Sequence, residues 1–399
     1  MSTITREPAI AVTGTQFRSH LHPTPSWQLA DHSEPTGREE TWRFTPVKRF
    51  KALMAEVIVG RPEWHISRPD GVTQRLLTVD QARELSFDAP VDIVAAQASA
   101  GAAGANLVEV PAEVALDEPV VIEILGEGQD ASAHLLVNVG HHAEVTVVLR
   151  HSGETRLASK VEVHVGDGAQ VDLVSVQDWS AGAVHGGQFS VLVGRDAKVR
   201  TIQASVGQGD VRLVERAQFA GPGGSLEQLG IYFVQAGQHV EHRLLVDHNH
   251  PRTVSHVDYR GALQGKGAHS VWIGDVMIRK IAVDIYTYES NKNLMLTEGC
   301  RADSVPNLEI ETGEIHGAGH SSSTGRFDDE QLFYLRSRGI PEEQARRLVV
   351  EGFFLDIIRR IGVPQIEGRL TEALNAQLAS IDGITHEAML DERPAEVEL

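Results

Sequence analysis

The amino-acid sequence predicts a mainly β protein with a β-solenoid core, an N-terminal mixed and helical region and a C-terminal helical region. Three observations lead to this prediction. Valine, isoleucine and leucine alternate with polar residues between about Val91 and Thr324, which is typical of strands. A short turn motif recurs within that stretch at a step of about 27 residues. After Gly325 the apolar residues repeat every three or four positions, which indicates helices.

The recurring motif is a glycine followed three positions later by a small residue, between two strand-like runs. VNVGHHAEVTVV from Val137 returns as VHVGDGAQVDLV from Val163 and VLVGRDAKVRTI from Val191. Such a unit cannot bury its apolar face alone, so successive units must stack. We ascribe to the glycine the backbone freedom of a tight turn. An antiparallel β-sandwich also uses short strands and glycine turns and is the alternative, but it rarely keeps one turn motif at a fixed step. The aligned glycines are Gly140, Gly166, Gly194 and Gly221.

Four regions follow from these patterns. With 399 residues, the chain is longer than the ~250–300 at which one compact core usually stops growing. Closely spaced prolines in residues 1–90 predict short helices and irregular segments. Residues 91–324 form the solenoid, and residues 325–385 the helical region. Residues 386–399 are acidic and predict a solvated tail.

Residues at the predicted ends of the helices in this region are typical of helix starts and stops. Asp328 is a candidate N-cap, Gly339 stands where that helix should stop, and Pro341 where the next should begin. The second helix, from Glu342 to Ile361, is apolar over more than one face. Either it forms the core of a helical cap, or one stripe is buried and the other binds a partner. A third helix is marked by Leu370, Leu374, Leu378 and Ile381.

Charge and composition exclude several classes of function. The chain has 36 Lys and Arg against 55 Asp and Glu, a net charge of −19, and no Lys/Arg-rich stretch, so we expect no nucleic-acid partner. No apolar run approaches the ~18 residues that would cross a membrane. Cys300 is the single cysteine. With no signal-like N-terminal segment, it indicates a cytoplasmic protein, and one thiolate cannot hold an iron–sulfur cluster or a structural zinc.

Catalytic and nucleotide-binding signatures are absent, so we expect no enzyme. In the segment from Gly261 to Lys266, the two glycines have the wrong spacing for a phosphate-binding loop. No GxSxG or HExxH occurs.

Histidines supply the remaining candidates. His316 and His320 follow Glu309 and Glu311, where the solenoid meets the helices. Two imidazoles with carboxylates would suit a labile divalent metal rather than a closed tetrahedral site. From spacing alone, ordinary surface residues are the commoner interpretation, as they are for His248 and His250. His239 and His242 do not share a strand face, and we set them aside.

Two longer segments resemble a known family. LTEGCRADSVPNLEI from Leu296 and HSSSTGRFDDEQLFYLRSRGIPEEQARRLVVEGFF from His320 are similar to the C-terminal core of the SufB/SufD family of iron–sulfur cluster assembly proteins. TGREETWRFTPVKRF from Thr36 resembles the family's amino-terminal segment and favours the SufD branch. The likeness covers nearly the whole chain.

The resemblance implies a right-handed parallel β-helix and a non-catalytic scaffold subunit. It implies two partners, a SufB-type paralogue and a SufC-type ABC ATPase that docks on the C-terminal helices, with these docking residues: Phe333, Tyr334, Arg338, Phe353 and Phe354. His320 matches the family's SufD histidine near the SufB–SufD interface. It becomes the candidate metal ligand there, as an imidazole ligand or a proton acceptor, beside His316, Glu309 and Glu311. No stably bound cofactor is expected, only transient iron or a nascent cluster at that interface.

The sequence departs from the family pattern at three places. Ala318 stands where the family often has cysteine, Ser321–Ser323 replace the usual Gly-Ala-Thr, and Cys300 replaces a common alanine. His320 therefore lacks an adjacent thiolate, and the partner would have to complete any ligand set. Two alternatives remain: a secreted-type β-helix enzyme that processes carbohydrates, and a SufB-like scaffold that holds the cluster itself.

Overall fold

Two long sheets form the body of the molecule. A computed structural model describes residues 23–326, 329–361, 364 and 366–375. What we call the even sheet contains, in spatial order, β1 (Glu63–Ile66), β4 (Val120–Glu127), β6 (Glu144–Glu154), β8 (Gln170–Trp179), β10 (Lys198–Ser205), β12 (Ser225–Val234), β14 (Val254–Leu263), β16 (Tyr286–Met295) and β18 (Gly317–Arg326). What we call the odd sheet contains β2 (Thr73–Leu77), β3 (Ala105–Val110), β5 (Ala131–Val139), β7 (Arg156–Val165), β9 (Val184–Val193), β11 (Asp210–Phe219), β13 (His239–His248), β15 (His269–Ile278) and β17 (Arg301–Ile310).

The strand order confirms the predicted parallel β-solenoid. From β3 to β18, consecutive strands alternate between the two sheets, and each pairs in parallel with the strand two places along the chain. Among the described strands, only β1 and β2, at the N-terminal end of the stack, pair antiparallel. The sandwich alternative is wrong: the sheets do face each other, but the described strands form no antiparallel hairpin. Two strands per coil give eight coils.

The strand register reproduces the sequence repeat and shows where it loosens. Lys198 pairs with Ser225, a step of 27 residues. Val254 pairs with Tyr286, a step of 32. The later coils have longer connecting turns, and this explains why the glycine motif fades after its fourth copy.

The turns assign a different role to the motif glycine from the one that we expected. A Cβ on Gly166 would lie 2.6 Å from the His141 nitrogen of the coil below, so glycine is required there because the backbones approach closely. The left-handed conformation belongs to the residue two positions on: His142, Gly168 and Asp196 have φ of 54°, 68° and 53°. The motif glycine therefore allows successive coils to stack closely, and the strained left-handed backbone falls two residues after it.

The N-terminal region packs on the outer face of the odd sheet. It contains α1 (Val47–Phe50), α2 (Ala52–Ala55), α3 (Val79–Leu85) and α4 (Ile93–Gly101). Phe50, Leu53 and Val94 are buried together against Ala158. Asp92 caps α4 by accepting a hydrogen bond from the Ala95 N–H. The solenoid strands therefore begin at Ala105 rather than near Val91, because a buried helix occupies the residues between.

The C-terminal helical region lies on the outer face of the even sheet, where its second helix and residues 366–374 are buried, and its first helix packs on the second. α5 spans Asp329–Ser337, α6 spans Glu342–Arg359, and residues 366–375 are also helical. Gly339 ends α5 as predicted, with φ of 84° and with the N–H groups of Gly339 and Ile340 bonded to the Arg336 and Leu335 carbonyls. The predicted N-cap Asp328, the end of the third helix at Leu378 and Ile381, and tail residues 386–399 lie outside the described residues. None of the helices in the described ranges is long and apolar enough to span a bilayer.

Candidate functional site at the open end of the solenoid

The two ends of the solenoid differ in the length and direction of their edge strands. At the N-terminal end, each sheet ends in a short antiparallel strand, β1 of four residues and β2 of five. At the other end, β17 and β18 run for ten residues each, and within the described chain no strand pairs with their outer edges. Long unpaired edges of this kind are templates for pairing with another chain. We call this end, formed by β17 and β18, the open end.

The open end also exposes the end of the apolar core. Ala302, Leu308 and Ala318 pack on the core of the previous coil but remain only partly buried. Around the adjacent corner, Ile281, Tyr286 and Ile310 are 46–64% exposed. Apolar exposure at a strand edge is what an interface with a second folded chain would cover.

His320 lies on β18 at the open end, with its side chain 42% exposed. Its register partner on β16 is Glu289, so the two side chains emerge on the same side of the even sheet. The His320 Nδ1 atom is 4.0 Å from Glu289 Oε1.

Glu289 is a buried carboxyl inside the solenoid. Its side chain is 1% exposed, and a Cβ on Gly274 of the opposite sheet would lie 2.4 Å from Glu289 Oε2. Burial, and next the charge of Asp275, raise the pKa of Glu289 to about 8, while the backbone N–H of Asn307 acts in the opposite direction. Within the described part of the chain, Glu289 Oε1 has no hydrogen-bond partner.

The other predicted interface residues do not join His320. His316 is 70% exposed and lies 4.0 Å, Nε2 to Oδ1, from Asp284. Glu311 accepts a hydrogen bond from the Lys280 N–H. Glu309 follows the inward-facing Leu308 on β17 and so faces outward. Among the described residues, no three His, Cys, Asp or Glu side chains are gathered as a metal site. The carboxyl beside His320 is Glu289, which sequence spacing missed because it belongs to the preceding coil.

Cys300 lies in the turn before β17. Its thiol is partly buried and donates to the Gly265 carbonyl, with sulfur and oxygen 3.4 Å apart. It belongs to the apolar end of the core rather than to the surroundings of His320.

A triad-like arrangement lies deeper in the solenoid. His242, to which sequence spacing gives no role, faces Ser205 Oγ through Nε2 at 3.1 Å and Glu215 through Nδ1 at 2.7 Å. The Tyr259 hydroxyl donates to the other Glu215 oxygen. Ser205, His242 and Glu215 are each at most 2% exposed, so they form a satisfied buried network and cannot reach a substrate in this conformation.

The five predicted ATPase-docking residues divide into two groups. Phe333 and Tyr334 on α5 are 74% and 57% exposed, and the Arg338 guanidinium lies 5.2 Å from the Tyr334 ring centre. Phe353 is half-buried, with its carbonyl bonded to Arg260. The inclusion of Phe354 is wrong, because its side chain is 1% exposed and packs on the outer face of the even sheet.

The structure shows which part of α6 forms a core and which part is exposed. Val350, Phe354, Ile357 and Ile358 are buried against apolar residues of β8, β10 and β12. Leu348, in contrast, is 42% exposed. One stripe of the helix is therefore core, and the exposed apolar surface of the helical region is concentrated on α5.

Comparison with known proteins gives a consistent set of relatives. Residues 123–353 match the family model described as SUF system FeS cluster assembly, SufBD core domain. An iron–sulfur cluster assembly SufBD family protein of Mycobacterium tuberculosis is 47% identical over 354 residues, which cover 86% of this chain and 89% of that protein. The iron–sulfur cluster assembly protein SufD of Bacillus subtilis is 26% identical over 69% of this chain and 64% of its own length. That of Escherichia coli is 23% identical over 86% and 88%.

Proposed function

Because the chain belongs to the SufB/SufD family of iron–sulfur cluster assembly proteins, we propose that it is a non-catalytic, SufD-like scaffold subunit of a SufBCD-type assembly complex. It pairs with a SufB-type paralogue, docks a SufC-type ATPase and acts in the cytoplasm. Two relatives that cover most of this chain carry the name SufD, which supports the SufD branch.

The single observation that carries the proposal is the open end. β17 and β18 leave ten-residue edges that no strand of the described chain pairs with, while the sheets end at the other side in antiparallel strands of only four and five residues. A paralogue with the same solenoid would present matching edges, so strand pairing can continue from one chain into the other. His320 on β18 would then lie at the junction, where the paralogue can supply the thiolates that this chain lacks.

Docking of the ATPase is assigned to α5. Phe333 and Tyr334 present a contiguous apolar and aromatic surface that nothing in the described chain covers, beside the cationic Arg338. α6 is anchored to the even sheet by its apolar stripe and by the ion pair between Arg260 and Asp356. Movement of a docked motor at α5 can therefore be transmitted to the solenoid wall through α6.

The role of His320 is to hold iron or accept a proton as the cluster forms at the junction. Iron and sulfide are substrates of this process rather than resident groups. A neutral imidazole nitrogen is a suitable ligand for ferrous iron, and with Ala318 in place of cysteine, the imidazole is the ligand-bearing side chain that β18 offers.

Co-expression with candidate SufB-type and SufC-type partners, followed by mass measurement of the intact complex, tests the proposal. We expect a stable assembly that contains all three chains and matures an apo-ferredoxin. His320→Ala should leave the mass of the assembly unchanged and lower maturation. If the chain binds neither partner, the proposal is contradicted. If the His320→Ala assembly matures the ferredoxin as well as the wild type does, this role of His320 is contradicted.

A further inference from the structure

Glu289 is an unusual residue for the inside of a solenoid. Its side chain is 1% exposed, and no Lys or Arg among the described residues forms an ion pair with it. Oε1 lacks a hydrogen-bond partner, and an unsatisfied buried carboxyl oxygen costs stability. A residue needed only for packing would be apolar here, so the carboxyl requires another explanation.

The space around Glu289 is arranged for a side chain of this size. Gly274 on the opposite strand β15 has no side chain, and a Cβ there would lie 2.4 Å both from Glu289 Oε2 and from the Trp272 ring. Trp272 is fully buried beside it. Glycine and tryptophan together confine the carboxyl, and His320 Nδ1 of the last coil lies 4.0 Å from Oε1.

We propose that Glu289 is a positioning residue for His320: its Oε1 accepts a hydrogen bond from the Nδ1–H, whether the carboxyl is neutral or ionised, and so leaves Nε2 without a proton and free for a ligand at the open end. The inference rests on the proposed function and adds to it a residue of the preceding coil. Carboxylates that hold one nitrogen of a histidine commonly orient the other nitrogen towards a metal. The separation of 4.0 Å is longer than a hydrogen bond, and small side-chain rotations close it in the free chain in solution. Iron bound at Nε2 tightens the contact further, since such contacts are often long before a ligand is present.

The other acidic groups predicted or found near this end do not take the same part. Asp284 lies near the exposed His316, Glu311 accepts from the Lys280 backbone, and Glu309 faces outward. The Glu289 side chain is 1% exposed, so bulk water competes less for Oε1 than it does for an exposed carboxylate.

Ring signals of His320 test the contact directly in the full chain. With histidine-selective ¹³C labelling, the Cδ2 shift reports which nitrogen carries the proton, and the His320 signal is identified by its loss in His320→Gln. In Glu289→Leu we expect this signal to move towards that of free imidazole. Leucine has a similar volume and removes a buried carboxyl that has no Lys or Arg partner, so folding should not suffer; Glu289→Gln provides a second, isosteric variant.

Glu298→Leu is the matched control, because Glu298 is 93% exposed at the same end. In the assembled complex we expect Glu289→Leu to lower maturation of apo-ferredoxin about tenfold without changing the mass of the assembly, and Glu298→Leu to have no effect. An unchanged His320 signal in both Glu289 variants overturns the inference, and so does a moved signal with full maturation. Failure of the wild-type chain to join its partners would instead overturn the proposed function, since the ring signal is measured without them.

Discussion

The ring of Tyr232 fills the space that a side chain at Gly261 would need. The two residues pair in register on β12 and β14, and a Cβ on Gly261 would lie 1.8 Å from Tyr232 Cε2. The Tyr232 hydroxyl donates to Asn293 Oδ1 at 2.6 Å, so the ring cannot move aside without losing a buried hydrogen bond.

Gly261→Ala should therefore destabilise the protein by about 3 kcal/mol or more, through overpacking. Urea unfolding followed by circular dichroism measures the effect. Gly352→Ala is the control, because a Cβ on that exposed helical glycine would have no atom within 4 Å and alanine should stabilise the helix by up to about 1 kcal/mol. Equal stability of the two variants would show that the Tyr232 ring is not tightly packed against Gly261.

Acid should weaken the fold through its buried histidines. Burial lowers the pKa of His151 and of His248 to about 4, whereas an unfolded histidine titrates near 6.5. Between those pKa values the unfolded chain binds protons that the folded chain does not bind. The contribution of these histidines to the free energy of unfolding is therefore complete above about pH 6.5 and falls as the pH drops towards about 4. At about pH 5 the loss should be on the order of 2 kcal/mol for each histidine.

Urea midpoints at about pH 7.5, 6 and 5 check this expectation, with His248→Gln as the variant whose pH dependence should be shallower. His65, an exposed histidine on β1, serves as the control in His65→Gln. A stability that stays flat across this pH range in the wild type would rule the buried histidines out as the cause of acid sensitivity.

The N-terminal region is held to the odd sheet by buried charge. Arg212 pairs with Asp92 at 2.7 Å, contacts Glu241 and lies over the Trp42 ring. Burial alone would raise the pKa of Glu241, but the charge of Arg212 and the neighbouring His239 lower it to about 2. Arg212→Met would leave that carboxylate buried without its main partner, a loss of about 3–5 kcal/mol.

Arg49→Met is the matched surface variant. Arg49 also joins the N-terminal region to the sheet, through Asp210 at 3.1 Å, but its side chain is 41% exposed, so the expected loss is within about 1 kcal/mol. Limited proteolysis of the N-terminal region should follow the same order. Similar losses in the two variants would mean that burial does not decide the strength of this junction.

The two aromatic residues of the helical region should separate docking from folding. Phe333→Ala removes a 74% exposed ring and should weaken binding of the ATPase at least tenfold while unfolding is unchanged. Phe354→Ala removes a ring that is 1% exposed and should cost about 3–5 kcal/mol of stability. Calorimetric titration with the ATPase and urea unfolding supply the two measurements; a Phe333→Ala chain that binds normally would move the docking surface elsewhere.

A charge at the open end should block the paralogue. Ser322 on β18 is exposed and its hydroxyl bonds to Ser304 across the last coil, so Ser322→Arg adds bulk and charge without disturbing buried atoms. We expect at least a tenfold loss of affinity for the SufB-type partner in pull-down or titration. Ser180→Arg, in an exposed turn of a middle coil, should bind normally, and equal binding by both variants would place the interface away from β18.

Several features could be predicted from local patterns because local chemistry determines them. The Gly339 stop of α5 depends on a left-handed position that glycine accepts, and the parallel coils follow from a repeated turn. The role of Gly166 could not be assigned in the same way, since its close neighbour His141 belongs to another coil. For the same reason spacing gives His242 no role, although it meets Ser205 and Glu215, which lie 37 and 27 residues away.

The amino-acid order alone determined the stacked architecture, the helical segments and the family, because periodic burial and long irregular motifs are properties of neighbouring residues. Only the tertiary structure decided that His320 lies beside Glu289 rather than Glu309 or Glu311, that Phe354 is core while Phe333 is surface, and that the described stack ends in two long strand edges. Those facts depend on which residues a coil brings beside the coil before it, at steps that vary from 26 to 32 residues, and on which face of each sheet the flanking helices cover.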